Sequence, residues 1–265
     1  MNQNEIAFKL KDTRHKEIVQ IVNEKQSVTV NYLARTLYSS LTTIRRDLKE
    51  LHKIGLISRI HGGATIPNTF SSEESHLFKE SLNADKKKMI AGLVSGFLEN
   101  NQTIFLDGST TNRYLIPYFH NFNNMVFITN SYKTVTELSN LNNSEIYLAG
   151  GKALNNFNHT SGNLTVDFLN HFRAEVCIMA CKGISATSGC TVVNSEQAII
   201  KSTMIKNSRV RILMCDSTKF SKVYLFHFAN FSDFDYLVTD QIPEEGLRSA
   251  IEITGCKIIT PKGEK

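Results

Sequence analysis

The chain has 265 residues, 41% of them hydrophobic, with 30 Lys/Arg against 25 Asp/Glu and a formal net charge of +5. That length suits one or two domains and is enough to bury a core. No apolar run approaches the ~20 residues that cross a bilayer, and no apolar segment follows Met1-Asn2-Gln3-Asn4-Glu5, so no membrane association or export is expected. Five cysteines, at 177, 181, 190, 215 and 256, are an odd number without a second pair or a histidine at zinc-finger spacing. Reduced thiols in a cytoplasm fit this pattern, and neither a metal nor a cofactor is expected.

The charge is uneven. Residues 1–66 hold eleven Lys/Arg against six Asp/Glu, whereas residues 67–265 hold nineteen of each. A basic surplus confined to one segment is the electrostatic footprint of a module that displaces counterions from nucleic-acid phosphates. Ile18, Ile21 and Val22 mark the inner face of a first helix, roughly Arg14 to Lys25. Val30, Leu33, Ala34 and Leu37 mark a second, and only Tyr38-Ser39-Ser40 separates it from a third. In the third, Leu41, Ile44, Leu48 and Leu51 form an apolar stripe, with Thr42, Arg46, Lys49 and Lys53 opposite, Arg45 beside them, and Ser40 placed to cap the first turn. A charged face alone is most simply a solvated one. Two short helices crossing sharply at a three-residue turn, however, predict a helix-turn-helix whose second helix enters the DNA major groove. Leu56 to Ala64 alternates like a strand, carries Arg59 and His61, and ends in a Gly pair, which predicts a basic wing.

Thr43-Ile44-Arg45-Arg46-Asp47-Leu48 followed by Arg59-Ile60-His61-Gly62-Gly63-Ala64 resembles the signature of the DeoR family of bacterial transcription regulators. The turn departs from that pattern, with Tyr38-Ser39-Ser40 where the family usually has Gly-Val-Ser. Ser40, Thr42, Thr43, Arg45, Arg46, Lys49, Arg59 and His61 are the expected DNA-binding residues.

Polar, aperiodic residues from Pro67 to Ser75 predict a linker, giving an expected organisation of DNA-binding domain 1–66, linker 67–82 and larger domain 83–265. Asn83 to Glu99 is predicted helical, with Met89, Ile90, Leu93, Val94 and Phe97 inward and Lys86-Lys87-Lys88 on a solvated face. Beyond it, short apolar runs at 103–107, 125–129, 145–149, 176–181, 210–216, 236–239 and 256–260 alternate with helical candidates near 111–119, 131–140, 194–207 and 244–254. This predicts an α/β domain with a parallel sheet covered on both faces, whose ligands bind beyond the carboxyl ends of the strands.

Polar residues collect at those ends. Asp107-Gly108-Ser109-Thr110-Thr111 opens a helix, and its amides and hydroxyls suit a phosphate. An ordinary capped turn explains that loop alone equally well, but Thr129-Asn130-Ser131, Gly150-Gly151-Lys152, Asn194-Ser195-Glu196 and Asp216-Ser217-Thr218-Lys219 repeat its character. Together with Thr239-Asp240 they resemble the sensor domain of the same family, similar in fold to ribose-5-phosphate isomerase. The resemblance implies a phosphorylated sugar effector, with Asp107, Gly108, Ser109, Thr110 and Thr111 at its phosphate or adjoining hydroxyls. Asn130, Gly150, Gly151, Glu196 and Lys219 would line the rest, and Asp216 is suited to a hydroxyl. Cys181-Lys182-Gly183-Ile184 differs from the smaller segment usual there.

The expected function is a cytoplasmic repressor that binds a double-stranded DNA operator, responds to a sugar phosphate and works as a homo-oligomer. The rival is an active isomerase-like enzyme with Asp107, Glu196 or Asp216 as its base. A nucleotide-binding protein lacks support, because neither a Walker loop nor a G-x-G-x-x-G is present.

Overall fold

A computed structural model describes residues 13–22, 25–53, 56–65, 82–154, 158–261 and 263–264, and the chain divides into two units, residues 1–79 and 80–265. The linker expected from Pro67 to Ser75 lies outside the described residues. In the first unit, helix α1 (13–22) buries Ile18, Val19 and Val22, with Ile21 half-buried. Strand β1 (Ser27–Thr29) leads into α2 (Val30–Thr36), capped by Thr29, whose hydroxyl accepts from the Tyr32 amide at 3.1 Å. Helix α3 (Leu41–Lys53) begins at Ser40, whose Oγ accepts from the Thr43 amide at 3.1 Å, as the cap position requires.

Ile44, Leu48 and Leu51 are buried, each contributing about 1.5–3 kcal/mol of transfer free energy. Leu41 does not join them; it is 41% exposed. Asp47 takes a place in the stripe instead. It is fully buried and accepts from Arg14 Nε at 2.6 Å and from the His15 ring at 3.1 Å, fastening α1 to α3. Burial pushes the Asp47 carboxyl up, but its bonds to Arg14 and His15 outweigh that and hold it below the usual carboxylate range. Tyr38 occupies the turn at φ +48°, the left-handed region that suits glycine. The predicted wing is a hairpin of β2 (Ser58–Ile60) and β3 (Gly63–Thr65), and β3 lies between β1 and β2. Gly63 is required there, since a Cβ would stand 2.1 Å from the Val28 carbonyl oxygen.

The second unit opens with α4 (Ala84–Ser95) and β4 (Thr103–Leu106). A 3-10 helix (Asn112–Asn121), β5 (Met125–Thr129), α5 (Tyr132–Leu138) and β6 (Ser144–Leu148) follow. A hairpin of β7 (Lys152–Leu154) and β8 (His159–Ser161) then leads to α6 (Asn163–Asn170) and β9 (Ala174–Ala180). Next come β10 (Gly183–Ser185), β11 (Gly189–Val192), α7 (Ser195–Lys206) and β12 (Ser208–Met214). The unit ends with β13 (Phe226–Ala229), β14 (Tyr236–Val238), α8 (Glu245–Glu252), β15 (Lys257–Thr260) and β16 (Gly263–Glu264).

The main sheet runs β16-β15-β14-β12-β9-β4-β5-β6, all neighbours parallel except the short β16 at one edge. Its two faces bury separate apolar clusters, one containing Phe105, Met179 and Leu213, the other Ile104, Phe127 and Met214. Alternate residues of one strand thus feed opposite cores, as a sheet covered on both sides demands. The side sheet β10-β11-β13 and the β7–β8 hairpin add to the strands predicted from sequence.

Helix α4 is turned relative to its predicted orientation. It buries Lys87, Ile90, Ala91 and Val94, while Met89 is 47% exposed. The lysine run is therefore not a solvated face at its centre.

Candidate functional site

On α3 the side opposite Ile44 and Leu48 presents Thr42, Arg45, Arg46 and Lys49, all exposed. Ser40 is exposed too, but its Oγ lies 2.8 Å from Thr43 Oγ1 and serves the helix cap, so these two hydroxyls hold the first turn. Arg59 and His61 are exposed on the wing. The unit thus offers a helix with three cations on its outer face, and a hairpin with an arginine on its first strand and a histidine in its turn.

In the second unit, every predicted effector residue from a strand end falls at the carboxyl rim of the sheet. The Asp107 carboxyl is 3% exposed and its oxygens are already engaged. It accepts from the Ser109 amide at 2.9 Å, from Asn112 Nδ2 at 2.7 Å, from the Ala180 amide at 3.2 Å and from the Lys201 ammonium. Lys201 also donates to the Ala180 carbonyl at 2.8 Å. Burial pushes the Asp107 carboxyl up, and the Lys201 charge with the Ser109 donors more than reverses this, holding it below the usual range. Asp107 therefore shapes the loop from beneath, and the Ser109 amide, expected to point outward, closes onto it. Gly108 and Ser109 of this loop are half-buried, while Thr110 and Thr111 are buried, at 8% and 1% exposure.

Two lysines reach those hydroxyls. Lys87 on α4 donates to Thr110 Oγ1 at 3.3 Å, and Lys219 donates to Thr111 Oγ1 at 3.4 Å. Lys219 also lies 3.4 Å from Asp216 Oδ2. Burial lowers the Lys219 ammonium, but Asp216 and the neighbouring thiols hold it above the ordinary lysine range, so it stays charged. Asp216, 1% exposed, accepts from the Thr218 amide at 3.2 Å and from Asn83 at 3.4 Å. Burial again raises it and Lys219 lowers it, with a net shift downward. Lys86 pairs with Asp240 at 3.1 Å on the same rim.

A second group adjoins the first. Asn130 donates to the Thr160 carbonyl at 2.8 Å, tying β5 to the β7–β8 hairpin. Gly151 has φ +145° and a Cβ there would stand 2.1 Å from Thr165 Oγ1, so only glycine fits this position. Thr165 Oγ1 donates to the Gly150 carbonyl at 2.7 Å. Glu196 accepts from Ser161 Oγ and lies 3.9 Å from Lys152 Nζ. A Cβ on Gly108 would come within 3.0 Å of Ser131 and 3.5 Å of the His159 ring, so this hairpin packs directly over the Asp107–Thr111 loop.

Sequence reading did not single out Lys87, Lys201 and Ser161, nor the supporting Asn83, Asn112, Thr160 and Thr165. Helical phase was the available signal for Lys87, three residues before Ile90. Among the described residues no group of His, Cys, Asp and Glu is arranged to hold a metal ion, and no helix is long and apolar enough to cross a membrane.

Two family models match this chain. A DeoR-like helix-turn-helix model matches residues 14–70, and a DeoR C-terminal sensor domain model matches residues 82–241. The HTH-type transcriptional regulator YulB of Bacillus subtilis is 33% identical over 92% of this chain and 95% of its own length. The Escherichia coli glycerol-3-phosphate regulon repressor is 29% identical over 87% and 91%. Ribose 5-phosphate isomerase A from Neisseria gonorrhoeae overlaps 54% of this chain and 55% of its own at 12% identity with a TM-score of 0.38, too partial to argue from. With one family model matched to each unit and a relative 33% identical across 92% of the sequence, this chain belongs to the DeoR family of helix-turn-helix transcriptional regulators.

Proposed function

We propose that this regulator is a repressor that binds a double-stranded DNA operator through α3 and the wing and is controlled by a phosphorylated sugar at the sheet rim. Residues 1–66 read the operator, 67–82 connect, and 83–265 sense the effector. The observation that carries the effector class is the pair of adjacent hydroxyls, Thr110 and Thr111, each met by its own lysine. Two buried or half-buried cations beside two hydroxyls suit a phosphate monoester, whose several oxygens accept charge-assisted bonds. The glycerol-3-phosphate regulon repressor, by its name, belongs to a regulon of one such ester.

On DNA, Arg45 and Arg46 are the base-edge or phosphate contacts, Lys49 and Arg59 the phosphate contacts, and Thr42 and His61 the groove neighbours. A homo-oligomer in the cytoplasm, reading two half-sites, matches how such motifs bind. The enzyme reading is weakened at two of its three candidate bases: Asp107 is held by Lys201 and Asp216 by Lys219 and Thr218, whereas Glu196, half-buried, accepts from Ser161.

A thermal-shift series of sugar phosphates beside the matching free sugars tests the effector class. A phosphate ester at about 100 times its dissociation constant adds roughly 2.7 kcal/mol of stability. A shift produced by free sugars and not by their phosphates overturns the reading.

A further inference from the structure

Beneath the rim, between the lysine-lined loop and the core, two cysteines meet. Ala180 ends β9 and Met214 ends β12, and the two are partners in a parallel register. Cys181 and Cys215 are therefore the next residues of adjacent strands. Their sulfurs stand 3.7 Å apart, and the Cys215 Sγ lies 3.6 Å from the Asp216 carbonyl oxygen. Cys215 is fully buried, whereas Cys181 keeps 6% exposure. The contact with Cys215 lowers the Cys181 thiol despite its burial, with the Lys219 and Lys201 ammoniums adding to the effect. The remaining cysteines, 177, 190 and 256, are buried and held above the ordinary thiol range by that burial. One thiol of five thus differs from the rest, and its neighbour is a second thiol at contact distance.

We propose that Cys181 and Cys215 form a redox modification site, an intramolecular dithiol that hydrogen peroxide converts to a disulfide. The Cys181 thiolate attacks one peroxide oxygen and breaks the O–O bond. Cys181 is oxidised to a sulfenic acid, and the departing hydroxide takes a proton to become water. The Cys215 sulfur then attacks the Cys181 sulfur, the S–O bond breaks, and the Cys215 proton leaves with the hydroxyl as a second water. One peroxide is reduced and two thiols are oxidised. The geometry required is small: the sulfurs close from 3.7 Å to about 2.05 Å, and the flanking strands already stand side by side. The new bond lies one residue before Asp216, the partner of Lys219, so it forms directly under the proposed phosphate site.

The test uses the full chain, reduced and then treated with hydrogen peroxide, with free thiols counted in denaturant and the intact mass measured. The parent is expected to fall from five titratable thiols to three, lose the mass of two hydrogens, and yield one peptide pair joined at Cys181 and Cys215, all reversed by dithiothreitol. Cys181→Ser should keep its two hydrogens and form no intramolecular bridge, Cys215→Ser should form no bridge and instead gain oxygen at Cys181, and Cys190→Ser should lose two thiols like the parent. In the parent, five thiols surviving, a bridge to Cys190, or addition of oxygen atoms without a bridge would each overturn the proposal.

Discussion

Lys201→Met isolates what the buried ion pair does for the sensor unit. Methionine keeps most of the side-chain volume beside Phe228, whose ring centroid lies 5.7 Å from the Lys201 nitrogen, and removes the charge. Asp107 then stays buried without its cation. Breaking such a pair from one side costs about 3–5 kcal/mol. Asp107 keeps its bonds from Ser109, Asn112 and the Ala180 amide, so the lower end, about 3 kcal/mol, is expected. The pH dependence carries the sign. In the parent the Asp107 carboxyl is held low when folded, so its contribution is present above the unfolded value of about 3.9 and is lost only as pH falls through the lower folded value. In the variant burial prevails and the folded value rises above the unfolded one. The native variant then takes up a proton that its unfolded chain does not, and its deficit shrinks as pH falls. Urea unfolding followed by circular dichroism at ~pH 7 and ~pH 5 reads both effects, and Asp107→Asn added to Lys201→Met should recover most of the loss. A deficit below about 1 kcal/mol, or one equal at the two pH values, refutes the buried-charge argument.

Three further outcomes are expected. Arg45→Ala or Arg46→Ala, if the residue reads a base edge, costs about 1–3 kcal/mol and relaxes one operator position; if it meets phosphate, affinity falls for all sequences and the salt slope shrinks by about 1. Gel-shift titrations at several salt concentrations separate these, and unchanged binding by both variants removes α3 from the interface. Tyr38→Gly relieves a left-handed side chain that is 97% exposed, and should stabilise the first unit by about 1 kcal/mol in thermal melts. Lys219→Ala should weaken a phosphorylated effector about 10–100-fold by calorimetry while operator affinity without effector stays near the parent's.

Most of the seven parallel strands were legible because they are short, largely apolar and largely buried runs, whereas the edge strand β6 is mostly half-buried or exposed and β12 carries Arg209 and Arg211 in its first half. The β7–β8 hairpin was not legible: His159-Thr160-Ser161 is polar, three residues long, and is buried by hydrogen bonds such as Thr160 to the Ala149 carbonyl at 2.6 Å. The strand-end loops announced the rim, yet not which of their groups face it. Asp107 reads as a ligand-facing carboxylate until Lys201, remote in sequence, is brought beneath it by the crossover from β9 to α7. Nothing local pairs those two residues. Lys87 is different, since its spacing from Ile90, Ala91 and Val94 places it on the buried face; three consecutive lysines obscured that phase. Asp47 was hidden for the converse reason. It stands among apolar positions of α3, and only α1 supplies the Arg14 and His15 that make its burial tolerable.

Control of DNA binding asks more of the rim than affinity. An effector shifts an equilibrium only by its difference in affinity for the two states, and a hundredfold change in operator binding corresponds to about 2.7 kcal/mol. One charge-assisted hydrogen bond contributes about 1.5–3 kcal/mol, so gain or loss of a single lysine–phosphate contact is large enough. The two lysines differ in what they are attached to. Lys219 is fixed to the sheet through Asp216 and the loop after β12. Lys87 rides on α4, the first helix after residues 66–81, along the chain that leads from the DNA-binding unit. A phosphate held by both would join that helix to the sheet rim, and the contact most able to differ between states is the one made by Lys87. Lys219→Ala should therefore move the effector concentration needed for release while leaving full release attainable. Lys87→Met should lower the amplitude of release even at saturating effector. Operator release followed across an effector titration distinguishes them: if both variants shift the midpoint and reach the parent's full amplitude, the signal does not pass through α4.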